Sequence, residues 1–243
     1  MASPLARQRD HEDILNILEL GQFISFERDK LFKVSDKLIA RHDTAYMHGF
    51  DGLDLVAPHG VYTPFAQNSS TYFLANALKA QNPGTPPSIL EIGTGSGGVI
   101  LSLAKHFGPS GRYMATDICQ KAIDAAILNA KNNNLNVDIV KSDLLDNLED
   151  IDFKIITFNI PLMNKEPENE IERDMLCDPD GHLLQRFLEQ LVVRGAKDQS
   201  VFLNLSNIGC LAPLKPFIKQ IIRHDVNYFI DNGMVRFIVE VKF

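Results

Sequence analysis

The stretch from Ile89 to Gly108, ILEIGTGSGGVILSLAKHFG, turns one apolar run into another through Gly93, Gly95 and Gly97. Without side chains, those positions leave backbone N–H groups open to a phosphate or the polar tail of a cofactor, at the positive end of the helix that follows. Gly93-x-Gly95-x-x-Gly98 also satisfies the dinucleotide fingerprint, so the loop alone does not choose between NAD and another nucleoside cofactor. Asp117 closes the next β-rich run, RYMATD, where a carboxylate can accept from both ribose hydroxyls. A third run ends in KSDLL, placing Asp143 to accept from an adenine amino group and Leu144 to pack on the ring. A fourth ends in FNIPLMN, and Asn159 and Pro161 are polar and rigid groups beside the cleft where a second substrate would lie.

Other residues have weaker claims on chemistry. Tyr62 and Gln67, in GVYTPFAQNSS, are candidate substrate contacts, although that segment also reads as a linker with helix caps. The acidic run NKEPENEIERD reads as a solvated, mobile loop, with Glu166, Glu168 and Glu170 as the groups that would meet a cationic acceptor. The seven histidines are scattered, and only His59 and His182 fall near site segments. Cys119, Cys177 and Cys210 lie far apart with no CxxC pair, which indicates neither a disulfide framework nor a metal site.

These residues need elements to hold them. His11–Leu20 and Lys30–Arg41 carry apolar residues at helical spacing, a short N-terminal cap over residues 1–50. Residues 51–87 read as a hairpin, LDLV against GVYT around Pro58-His59-Gly60, then a linking helix STYFLANALKA. From residue 88 to 243 strands and helices alternate, the pattern of an open α/β, Rossmann-like parallel sheet with helices on both faces. Its last helix is expected at PLKPFIKQIIRH, and it ends in an antiparallel β-hairpin around Asp231-Asn232-Gly233.

Composition narrows the partners. In 243 residues, 24 Lys and Arg stand against 31 Asp and Glu, and the net charge of -7 disfavours nucleic acid or an anionic membrane as partner. An apolar share of 45% suits a packed core. No run of about 18 apolar residues and no signal-peptide pattern is present, so a cytoplasmic location is expected. The oligomeric state stays open.

Together the motifs resemble a class I S-adenosylmethionine-dependent methyltransferase, and within that class the HemK type, the release factor glutamine methyltransferases and their methyltransferase small domain relatives. The resemblance runs over about residues 44–243 and is carried by ILEIGTGSGGVILSLA, ATDICQKAIDAAILNAKNNNL, KSDLL and FNIPL, with DTAYMHGFDGLDLVAPHGVYTP upstream and CDPDGHLLQRFLEQLV downstream. It implies a seven-stranded sheet whose last strand is antiparallel, and S-adenosyl-L-methionine as cofactor. Glu91, Gly93, Thr94, Gly95 and Gly97 would belong to the methionine end, Asp117 to the ribose and Asp143 with Leu144 to the adenine; Ile118 and Asn159 are further expected cofactor contacts. In the family's Asn-Pro-Pro-Tyr motif the Asn side chain and the next carbonyl accept hydrogen bonds from the acceptor nitrogen. Asn159, Ile160 and Pro161 inherit that catalytic place.

Ile160 stands for the first proline and Leu162, a further candidate substrate contact, for the aromatic residue that would pack on a planar amide. That substitution favours a small polar molecule, such as a specialised-metabolite intermediate, as methyl acceptor. A protein glutamine is the alternative, supported by the match outside the motif. A regulatory cofactor-binding protein without transfer activity and a nicotinamide oxidoreductase are the other classes, and the Asn-Ile-Pro segment speaks against the second.

Overall fold

The computed structural model describes residues 46–62, 64, 69–81, 85–228 and 235–243. The expected helices at His11–Leu20 and Lys30–Arg41, the Asp231-Asn232-Gly233 turn and the candidate contact Gln67 lie outside them.

The first described element is a hairpin of β1 (Tyr46–Phe50) and β2 (Leu53–Ala57), with Phe50 opposite Leu53. Its turn is Asp51-Gly52, with φ of 54° and 72°, the left-handed pair that suits the twist of a two-residue hairpin. Among the described residues Leu53–Val56 pairs with β1 and not with the expected partner Gly60–Thr63. Val61 N donates to Pro58 O at 3.0 Å, and that turn leads away from the hairpin instead of reversing it.

A linking helix α1 (Ser70–Lys79) is capped by Ser69, whose side chain accepts from Tyr72 N. The alternating segment follows: β3 (Ser88–Ile92), α2 (Gly98–Phe107), β4 (Arg112–Asp117), α3 (Gln120–Asn132), β5 (Asp138–Lys141), β6 (Ile155–Asn159), α4 (His182–Val193), β7 (Ser200–Ser206), β8 (Ile221–Tyr228) and β9 (Val235–Lys242). The sheet order is β5-β4-β3-β6-β7-β9-β8, parallel from β5 to β7, with β9 antiparallel to both of its neighbours. This is the expected Rossmann-like sheet with its antiparallel C-terminal pair.

The final helix is not as expected. Ala212–Gln220 is a 3-10 segment, and Ile221 already belongs to β8. Pro213 and Pro216 each lack an N–H, and the β-branched Ile221 and Ile222 that follow favour extended backbone.

Helices cover both faces of the sheet. Leu184, Phe187, Leu188 and Leu191 of α4 bury one face with Ile156, Leu203 and Val239. Leu74 and Leu78 of α1, with Ile100 and Leu103 of α2, bury the other along with Phe50, Leu53 and Leu55 of the hairpin. The hairpin thus shares the hydrophobic core of the sheet.

Its outer edge is finished by side chains. Asn133 Oδ1 accepts from Asp54 N at 3.1 Å and Asn133 Nδ2 donates to Asp54 O at 2.9 Å. Asn129 repeats the pattern with Val56 N and Val56 O, both at 2.8 Å. Residues four apart on a helix rise about 6 Å, close to the two-residue repeat of a strand, so two asparagines on α3 serve as a partner strand for β2.

Candidate active site

The glycine loop lies between β3 and α2 at the carboxyl ends of the parallel strands, where open α/β sheets bind their ligands. Gly93 and Gly95 have φ of 65° and 56°, a conformation strained for residues with a side chain, and both are closely packed. A Cβ at Gly93 would stand 3.0 Å from Phe158 Cε2, and one at Gly95 would stand 3.3 Å from the Tyr62 carbonyl oxygen.

Glu91 is 2% exposed and does not face the cavity. Its Oε2 accepts from Thr94 Oγ1 at 2.7 Å and from Ile100 N at 2.9 Å, which ties the loop to the first turn of α2. Burial pushes its carboxyl up to about 8, against the pull of those two donors. Glu91, Thr94 and Gly97 lie outside the cavity lining, whose wall on this side is Ile92, Gly93 and Gly95.

Asp117, at the tip of β4, does reach the cavity. Its Oδ2 accepts from Gly95 N at 2.8 Å and its Oδ1 from Cys119 N at 2.9 Å. Burial raises its pKa and the backbone donors oppose the rise. The carboxylate thus orders the loop and presents remaining lone pairs to a ligand. Ile118 is 58% exposed beside it, an apolar surface open on the cavity side. Leu144 and Asp143 also line the cavity, and Asp143 Oδ2 accepts from Arg186 Nη2 at 2.9 Å, a partner absent from the sequence expectation.

The cavity has a volume of about 350 Å³. Its other end is polar and is made from four elements. Tyr62 shares a hydrogen bond with Ser70 Oγ at 2.8 Å, and Asn159 Nδ2 donates to the same oxygen at 3.3 Å. Asn159 Oδ1 accepts from Asn204 Nδ2 at 2.7 Å. The Asn159 amide is held at both ends, with its oxygen keeping a second lone pair. Ile160, Pro161 and Leu162 continue the wall, and Ser206 Oγ donates to Leu162 O at 2.7 Å. Ser70, Asn204, Ser206 and Arg236 were not anticipated from sequence. Asn204 and Ser206 alone left a trace there, as polar residues on alternate positions of the apolar run SVFLNLS.

The acidic run after β6 is not a solvated loop. Lys165, with 9% side-chain exposure, pairs at 2.7 Å with Glu172, at 2%, and Glu172 also accepts from Glu168 N. Met163 N donates to Leu176 O, Asp178 N to Met163 O, and Asn164 N to Ile208 O. Under this cover Met163, Leu176, Cys177 and Ile208 form a small core of their own. The segment places Asp174 and Met175 on the cavity, while Glu166, Glu168 and Glu170 stay exposed and outside it. Asp178 then caps α4, accepting from Leu183 N and Leu184 N.

Cys177 is buried and does not line the cavity, and burial pushes its thiol up to about 12. His59 and His182 do not line the cavity. Among the described residues no group of three or more His, Cys, Asp or Glu could hold a metal ion, and no helix is long and apolar enough to cross a membrane.

Residues 52–199 match the family described as methyltransferase small domain. The chain is 34% identical over 196 residues to the release factor glutamine methyltransferase of Streptococcus pneumoniae, across 75% of this chain and 68% of that one. It is 30% identical over 175 residues to the Lactococcus lactis protein of the same description, across 70% of this chain and 63% of the relative. It thus spans about two thirds of the length of these relatives. Among solved structures it is similar to the Pyrococcus abyssi tRNA (uracil-54, C5)-methyltransferase in complex with S-adenosyl-L-homocysteine, with a TM-score of 0.58 at 14% identity over 81% of this chain and 43% of that one. A second is the Thermus thermophilus 16S rRNA N2 G1207 methyltransferase in complex with AdoMet and guanosine, with a TM-score of 0.57 at 16% identity over 82% of this chain and 50% of that one. At such identities the likeness concerns the fold alone.

Proposed function

The chain belongs to the methyltransferase small domain family, as a class I S-adenosylmethionine-dependent methyltransferase of HemK type, and from that premise we propose that it methylates the side-chain carboxamide nitrogen of a glutamine in a protein. The observation that carries this reading is the 34% identity with a release factor glutamine methyltransferase. The small polar acceptor expected from Leu162 gives way to it, because no relative named above acts on such a molecule by its description.

The cavity fits the cofactor. Its volume of about 350 Å³ lies in the range of small-molecule sites. Asp117 is a carboxylate suited to vicinal hydroxyls, Ile118 and Leu144 offer apolar surface for a base, and the loop at Gly93 and Gly95 packs closely on Phe158 and Tyr62. These residues would hold S-adenosylmethionine, with Asp143 at the adenine edge. When bound, it supplies a methyl group already activated on a sulfonium, so the protein's part is placement in a dry site.

Asn159 and the Ile160 carbonyl do the placing. An amide nitrogen is a poor nucleophile in its planar resting state, and two acceptors that take its two N–H groups fix where its lone pair points. Asn204 and Ser70 hold the Asn159 amide with its oxygen committed to accepting. Leu162 offers the carboxamide an aliphatic surface where the family has a ring.

The test is transfer of isotope-labelled methyl from the cofactor to an unmethylated release factor. Label on a glutamine of that protein supports the reading. Label found only in the small-molecule fraction of an extract overturns it.

A further inference from the structure

Arg236 is 7% exposed and yet lines the cavity. It is the second residue of β9, and the sheet register fixes which way it projects. Asn159 on β6 is in register with Asn204 on β7, Asn204 faces Ile238 on β9, and Ser206 faces Arg236. Residues directly opposite across neighbouring strands project to one face, and so do alternate residues along a strand. Asn159, Asn204, Ser206 and Arg236 therefore share the face of the sheet on which α1 packs. Ser206, opposite Arg236, is also the residue that holds the Leu162 carbonyl. From Asn159 to Arg236 the backbone crosses two strand spacings, about 10 Å, and advances two residues, about 7 Å. Two polar side chains with a carboxamide between them span that gap.

The two ends of this span have opposite hydrogen-bonding character. Arg236 can only donate, whereas Asn159 Oδ1 and the Ile160 carbonyl can only accept. A primary carboxamide has the matching polarity, with donors on its nitrogen and an acceptor oxygen on its other arm. We infer that Arg236 binds the carbonyl oxygen of the acceptor carboxamide and so turns its NH2 group toward Asn159. The inference rests on the glutamine reading and extends it to a named recognition residue. A glutamate side chain would set an oxygen against the two acceptors at the Asn159 end, and the site rejects it for that reason. Without Arg236 the carboxamide loses the donor that holds its oxygen arm.

The experiment compares the unsubstituted chain with Arg236→Gln and Arg236→Lys, using unmethylated release factor and labelled cofactor, with cofactor affinity measured separately by calorimetry. Arg236→Gln is expected to raise KM for the release factor about 10- to 100-fold, the range for losing a hydrogen bond to a charged group. Its affinity for S-adenosylmethionine should stay within about twofold, which also reports an intact fold, and Arg236→Lys should recover part of the loss. If Arg236→Gln does not fold, the same split of KM against cofactor affinity is read from Arg236→Lys. An unchanged acceptor KM overturns the inference and leaves the glutamine reading standing. A matching loss of cofactor affinity also overturns it, because Arg236 then serves the cofactor. No label on release factor with the unsubstituted chain overturns the glutamine reading and this inference with it.

Discussion

At the tips of β3 and β4 the cavity is bounded mainly by main chain: glycines pressed against Phe158 and Tyr62, and a carboxylate whose oxygens hold Gly95 N and Cys119 N. At the tips of β6 and β9 it is bounded by side chains: Asn159, Ser70 and Arg236 line it, and Asn204 of β7 holds Asn159 from behind. A wall of backbone in the left-handed region accepts few substitutions, since a Cβ there is strained and meets close neighbours. A wall of side chains can change what it recognises while the sheet beneath it stays as it is. The first end suits a ligand that never varies and the second suits one that does.

Substitutions should separate the two ends. The largest effect is expected at the support of the acceptor wall, where Glu172→Ala leaves Lys165 buried without its closest partner. Urea unfolding should show a loss of about 3 to 5 kcal/mol, the usual result of breaking a buried pair. An unchanged midpoint would mean that the acidic run contributes no structure. Next, Asn159→Ala should lower kcat about 100- to 1,000-fold, as removal of an oriented polar group commonly does, with cofactor affinity nearly unchanged. A fall in both would merge the two ends into one.

Asp117→Ala should do the reverse, weakening the cofactor about 10- to 100-fold by titration calorimetry and leaving acceptor KM alone at saturating cofactor. A readout on stability, and not on either ligand, concerns the brace behind the loop. Glu91 is lifted to about 8 in the folded chain, so the stability it contributes is complete below its unfolded value of 4.5 and is lost as pH rises through about 8. Melting temperatures at about pH 5 and pH 8 should therefore fall less for Glu91→Gln than for the parent chain. Parallel curves would show that Glu91 stays ionised in its pocket.

The backbone-built end was the legible one, because its parts are local in sequence: Gly93, Gly95 and Asp117 belong to one strand, turn, helix and strand unit. Asn159 was legible as a polar residue at a strand tip beside Pro161. Arg236 was not, since it joins the site only through the insertion of β9 between β7 and β8, and nothing in the run VRFIVEVK states that order. The hairpin was displaced because Pro58-His59-Gly60 is a turn, while the reversal that pairs strands is Asp51-Gly52. The acidic run misled for a related reason: its charge is what solvent would favour, but Lys165 and Glu172 neutralise each other out of solvent.

Asn129 has one consequence for how this protein can be recombined. The two N–H groups of its amide go to Val56 O and Ser96 O, both at 2.8 Å, so a single side chain clasps the hairpin and the glycine turn together. A chimera that joins a foreign leading domain directly at Ser88 would inherit Gly93, Gly95 and Asp117 but would lose Val56, leaving Asn129 with only its bond to the turn. A graft that keeps everything from Tyr46 onward carries Val56, Ser96 and Asn129 together and so brings its own clasp.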